Sequence, residues 1–75
     1  MMELTERQRE VLRFIESKID QGIPPTQAEI QDHFGFESRN ASTRHLEVLE
    51  GKGYISRERG KSRSIRVLIH TNETV

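Results

Sequence analysis

The chain has no cysteine among its 75 residues. Disulfide frameworks and thiolate zinc sites are thereby excluded, and the usage fits a reducing compartment. Long apolar runs are missing as well. The longest is Val67-Leu68-Ile69, whereas a membrane-spanning helix needs about 20 apolar residues. Met1-Met2-Glu3-Leu4 lacks the basic region and apolar core of a signal peptide. The expectation is a soluble, cytoplasmic protein with no membrane partner. Net charge is also absent, since 12 Lys/Arg balance 12 Asp/Glu. The length allows one domain with a small core, so helix caps and tight turns must supply a real share of its stability.

The groupings that support catalysis are lacking too. His33, His45 and His70 show no metal-site spacing, and each reads as a surface or partly buried histidine. No serine has a base partner in a defined motif, and Lys18, Lys52 and Lys61 form no Ser-Lys arrangement. There is no glycine-rich phosphate loop. No enzymatic activity, cofactor or metal is expected.

What is present is an uneven distribution of charge. Residues 1–35 hold four basic and seven acidic residues, while residues 36–66 hold eight basic and four acidic ones. Zero net charge argues weakly against a nucleic-acid partner, but a basic half points to an anionic partner for one face. Solvated surfaces also carry uneven charge, so the local motifs have to decide.

Thr5 stands three residues before Gln8, the spacing of a capping box. Beyond it Val11, Leu12, Ile15 and Ile19 recur at helical spacing, with Phe14 beside them. Core packing explains that stripe better than a partner-binding face does. Gly22 ends this first helix, and Ile23-Pro24-Pro25 keeps the chain extended. A second capping box, Thr26 with Glu29, opens a helix from about Gln27 to Phe34, with Ala28, Ile30 and Phe34 toward the core. Gly35 can take the left-handed conformation that stops it. Ser38 can cap a third helix from about Arg39 to Glu50, which Gly51 and Gly53 break. Helix, tight turn and helix in this order form a helix-turn-helix.

On the third helix, Ser42, Leu46 and Leu49 share one face. Asn40 and Arg44 lie opposite, flanked by Ala41 and Thr43. Asn40 suits adenine in a bidentate pair, and Arg44 suits guanine, whose N7 and O6 both accept. Ala41 allows close approach to a thymine methyl, and Thr43 offers a hydroxyl or its own methyl. An ordinary exposed helix face would also be polar, so this signal draws its weight from the surrounding turn.

After the helix, residues 54–58 and 64–69 predict two strands, with Ile65, Val67 and Ile69 on one face. Between them Arg59-Gly60-Lys61-Ser62-Arg63 makes a basic tip. A hairpin behind a helix-turn-helix is the winged-helix layout, so the predicted fold class is mainly α with a small β-hairpin. The domain is read as 1–69 and the polar tail as 70–75, with recognition helix about 39–50 and wing about 54–69. The phosphate-facing set is Arg39, Arg57, Arg59, Lys61, Ser62, Arg63 and Arg66. Such contacts position a protein without reading sequence. The same cations also protect an exposed strand edge from aggregation.

The segments 4–12, 22–30, 34–41, 45–49, 52–55 and 62–67 resemble, in one register, the N-terminal DNA-binding domain of the LexA repressor family. Gly22-Ile23-Pro24-Pro25-Thr26-Gln27-Ala28-Glu29-Ile30 is the most specific of these. The resemblance covers about residues 3–68. It implies sequence-specific binding of double-stranded DNA and repression of DNA-damage (SOS) response genes from palindromic operators. It also implies that Ser38, Asn40, Ala41, Thr43 and Arg44 occupy operator-reading positions and that Arg63 occupies a wing position. Two departures stand out: Thr43-Arg44 replaces the family's usual pair of glutamates, and Arg39 replaces a frequent proline. These departures leave the operator sequence open. The self-cleaving second domain that dimerises such repressors has no match here, and whether this is a single-domain relative or an excised domain stays open. A monomer that pairs, if at all, on a palindromic operator is expected. A protein-interaction module is the rival reading.

Overall fold

The computed structural model describes residues 4–70. Three helices, α1 (Glu6–Asp20), α2 (Gln27–Phe34) and α3 (Arg39–Gly51), precede a hairpin of β1 (Ile55–Ser56) and β2 (Arg66–Val67). Each helix start is built from its own neighbourhood. The Thr5 hydroxyl accepts from the Gln8 amide at 3.1 Å, and the Gln8 side chain accepts from the Thr5 amide at 3.0 Å. Thr26 and Glu29 repeat the arrangement at 3.1 and 3.0 Å. Ser38 caps α3 by accepting from the Ala41 amide at 3.3 Å.

The helix ends share a single device. Gly22, Gly35 and Gly53 all have positive φ, at 110°, 68° and 85°. In each case the next amide reaches back five residues, Ile23 to Lys18, Phe36 to Gln31 and Tyr54 to Leu49. This satisfies a carbonyl the helix would leave orphaned. Gly51, expected to break α3 together with Gly53, instead lies inside it as its last residue.

One core joins helices and wing: Val11, Leu12, Ile15, Ile30, Leu46, Leu49, Ile55 and Ile65 are all buried. Each such aliphatic side chain contributes roughly 1.5–3 kcal/mol by leaving water. Ser42, the one buried polar residue among those described, donates to the Arg39 carbonyl at 2.9 Å. Ala28 is a correction, for it is exposed. It lies two residues before Ile30, roughly 200° around the helix from it, so burying Ile30 turns Ala28 to solvent.

The strands are shorter than their alternation suggested. Ile55 pairs with Val67 and Ser56 with Arg66, antiparallel, and the ladder stops there. At one end the Tyr54 carbonyl accepts from both Leu68 (2.7 Å) and Ile69 (3.2 Å), which bends the chain out of register. Ile69 is consequently 49% exposed instead of sharing the buried face of Ile65. At the other end the Ser64 hydroxyl replaces the ladder. It accepts from the Glu58 amide at 3.0 Å and donates toward the Lys61 and Glu58 carbonyls. Of the tail assigned to 70–75, only His70 falls within the described residues, and it meets Glu16 at 3.1 Å.

Candidate nucleic-acid interface

The order helix, four-residue turn, helix and hairpin, closed on one core, defines a winged helix-turn-helix protein. Its second helix of the motif, α3, is anchored from three sides. Ser42, Leu46 and Leu49 face the core. Phe36, in the turn, stacks on His45 with ring centroids 4.9 Å apart and planes 7° apart. Gln27, the first residue of α2, donates to the Ser42 hydroxyl at 3.3 Å, to the Arg39 carbonyl at 3.3 Å and to the Thr43 hydroxyl.

Held in this way, α3 presents Asn40 and Arg44 to solvent one turn apart. Neither side chain forms a hydrogen bond or ion pair among the described residues. Ala41 and Thr43 flank them, both half-buried. Ser38 is exposed, but its hydroxyl is engaged as the cap. Thr43 is engaged as well, through Gln27.

The wing divides its cations into two kinds. Arg59 and Arg66 are exposed and unpaired among the described residues, as is Arg39 at the start of α3, and Ser62 is exposed beside them. Lys61 meets Glu58 at 3.3 Å, with both side chains largely in water. Arg57 is different: its guanidinium donates twice to Glu50, at 3.2 and 3.0 Å. So is Arg63, which donates to Glu29 at 3.1 and 2.8 Å and to the Pro24 carbonyl at 2.9 Å. A groove of about 550 Å³ along the wing is lined by Arg57, Lys61, Arg63 and Arg66, with Glu58 among them.

Electrostatics follow these contacts. The Arg63 hydrogen bond, and after it the Thr26 amide, hold the Glu29 carboxyl below its ordinary value. Glu29 in turn raises Arg63. Burial, helped by the Arg7 charge, lowers His45, whose Nδ1 is buried without a hydrogen-bond partner among the described residues. Among the same residues no group of three His, Cys, Asp or Glu could hold a metal ion. None of their helices is long and apolar enough to cross a membrane.

Sequence reasoning named the exposed face but missed three residues whose contacts hold α3 and the wing in place. Glu29 read only as a cap, Gln27 only as a first-turn residue, and Glu50 only as the end of a helix. Their partners lie 34, up to 16 and 7 residues away, and no local signal announces such pairs.

The model of the LexA DNA binding domain family matches residues 1–64. The LexA repressor of Colwellia psychrerythraea is 50% identical over 66 residues, 87% of this chain and 31% of the relative. That of Actinobacillus pleuropneumoniae is 46% identical over 72 residues, 95% of this chain and 34% of the relative. That of Vibrio cholerae is 50% identical over 70 residues, 92% of this chain and 34% of the relative. The chain therefore belongs to the LexA DNA binding domain family. It spans about a third of the length of these relatives.

Proposed function

We infer that this chain binds duplex DNA sequence-specifically and serves a LexA-type repressor of DNA-damage response genes, acting in the cytoplasm on the nucleoid. The carrying observation is the exposed Asn40–Arg44 face, without a side-chain partner among the described residues and set on the side of α3 opposite its buried stripe. In this reading α3 enters the major groove. Asn40 reads adenine and Arg44 guanine, with Ser38, Ala41 and Thr43 in close contact around them. Arg39, Arg59, Lys61, Ser62 and Arg66 meet phosphates, and Arg57 and Arg63 border the same wing groove. The chain is monomeric without DNA and pairs on a two-fold operator, with half-sites near one helical turn or a multiple of it apart.

Thr43-Arg44 gives this domain an operator of its own. Arginine donates to guanine, whereas a glutamate at the same place accepts from cytosine. Arg44→Ala is expected to relax selectivity at one operator position and to cost roughly 1–3 kcal/mol there. Arg44→Glu should shift the preference toward cytosine. Operators selected from a random duplex pool by the parent and both variants, all melting alike, check this. Identical preferred sequences would remove α3 from base reading and favour a protein-interaction module.

A further inference from the structure

Arg63 combines two features found together nowhere else among the described residues. It is the only non-glycine residue there with positive φ, at 56°. Its guanidinium also makes a two-pronged contact with Glu29, at 2.8 and 3.1 Å, plus a 2.9 Å bond to the Pro24 carbonyl. Left-handed backbone disfavours a residue bearing a Cβ, so such a conformation persists where surrounding contacts impose it. Here those contacts belong to Arg63 itself. Both acceptors are fixed beforehand. The Glu29 carboxylate is oriented by the capping box, in which its Oε1 also accepts from Thr26 at 3.0 Å. The Pro24 carbonyl sits in a two-proline segment of restricted φ. A planar guanidinium matches that pair of acceptors, and a lysine would not.

The wing needs such a tether. Its ladder is two residues long on each side. Beyond it the loop is closed by the Ser64 hydroxyl and by an exposed Lys61–Glu58 pair. We propose that Arg63 is a positioning residue, latching the wing to the start of α2 through Glu29 and Pro24 so that the wing's unpaired cations meet the DNA backbone in one register with α3. The role deepens the DNA-binding reading above and rests on it. It assigns Arg63 to the protein's own carboxylate in preference to a phosphate.

Glu29→Gln separates the two assignments by sign. Glutamine keeps the capping box, because its carbonyl accepts the same bond, but it loses the charge-assisted pair. If Arg63 serves phosphate, removing an anion beside the DNA and releasing the arginine should tighten binding. If Arg63 is a latch, Glu29→Gln should weaken binding by about three- to fivefold, the scale of a partly exposed ion pair. Arg63→Ala should weaken it similarly, and the double variant no further. Arg63→Lys should not restore it. The slope of log affinity against log salt should stay near the parent's for Glu29→Gln and Arg63→Ala, and fall by about one for Lys61→Ala. The probe is a random-sequence duplex at two salt concentrations. In parallel, backbone amide spectra without DNA should show the same wing signals, residues 58–64, displaced in both single variants, with both chains still folded at the temperature of the measurement. Tighter or unchanged binding by Glu29→Gln, additive losses, a full unit of salt slope lost in Arg63→Ala, or undisturbed wing amides would each overturn the latch. A parent chain that binds no duplex at all would overturn the DNA-binding reading itself, and the role with it, while the amide comparison still reports the contact.

Discussion

Helix α3 and the wing carry the two exposed sets of side chains, and they are held by opposite physics. Behind α3 stand Ser42, Leu46 and Leu49, none more than 1% exposed, and apolar burial of this kind is insensitive to salt. Behind the wing stand Ile55 and Ile65, but its outer half depends on charge: Arg63 on Glu29 and Lys61 on Glu58. Exposed ion pairs weaken as salt rises, over a screening length of about 8–10 Å at physiological strength. The part proposed to read bases is therefore rigid by packing. The part proposed to meet phosphates is placed by contacts that the same ionic environment modulates.

The most severe way to break this contrast is to hollow out the helix side. Leu46→Ala leaves a cavity beneath α3 and should destabilise the domain by about 2–5 kcal/mol, seen as a lower midpoint in urea. Since Leu46 shares its core with Ile55 and Ile65, the wing should melt in the same transition. Separate transitions would show that the two regions fold independently.

A milder change sharpens the contrast. Gln27→Ala removes the amide that bridges to Ser42, Thr43 and the Arg39 carbonyl. Ser42 retains its own bond to Arg39, so no buried hydroxyl is stranded. The expected loss is about 0.5–1.5 kcal/mol, with α3 still in place. A larger loss would mean that polar ties, and not the apolar stripe, hold the helix.

The smallest effect concerns acid, and its sign can be worked out for each side. His45 is lowered from its ordinary 6.5 by burial and by Arg7. The unfolded chain therefore takes up that proton first, and stability falls as pH drops from 6.5 toward the lowered value. His45→Phe, which keeps the stack on Phe36, should flatten that slope in melting temperature against pH. Glu29 is lowered from 4.5 by Arg63 and the Thr26 amide, with Lys18 on α1 adding a weaker attraction. Its contribution is whole above 4.5 and disappears as pH falls through the lowered value. Wing amides should therefore move only in that second, more acidic window. Movement of the wing in the histidine window would contradict the division.

How much of this was legible in the sequence depended on how far apart the interacting residues lie. The bounds of α2 were readable because Thr26 and Glu29 are neighbours in its first turn and Gly35 caps its last, and α3 began at Arg39 as Ser38 signalled. The hairpin was readable as a hairpin, since Ile65 and Val67 alternate against Gly60. Its length was not, because the Ser64 hydroxyl and the Tyr54 carbonyl end the ladder through bonds that alternation does not encode. Ala28 misled because a small apolar residue fits either side of a helix. The exposed Asn40–Arg44 face followed from the position of the buried stripe. The engagement of Arg63 did not follow, because its partner had already been given a complete local explanation as a helix cap.

Glu29 Oε1 accepts from the Thr26 amide and the Arg63 guanidinium at once. A helix start and a hairpin tip thus draw on one oxygen atom, and neither is free to vary alone. Aspartate, one carbon shorter, would have to abandon one donor to keep the other. A wing grafted from this domain onto another three-helix scaffold would arrive without its anchorage unless that glutamate, at the third position of the receiving helix, travelled with it.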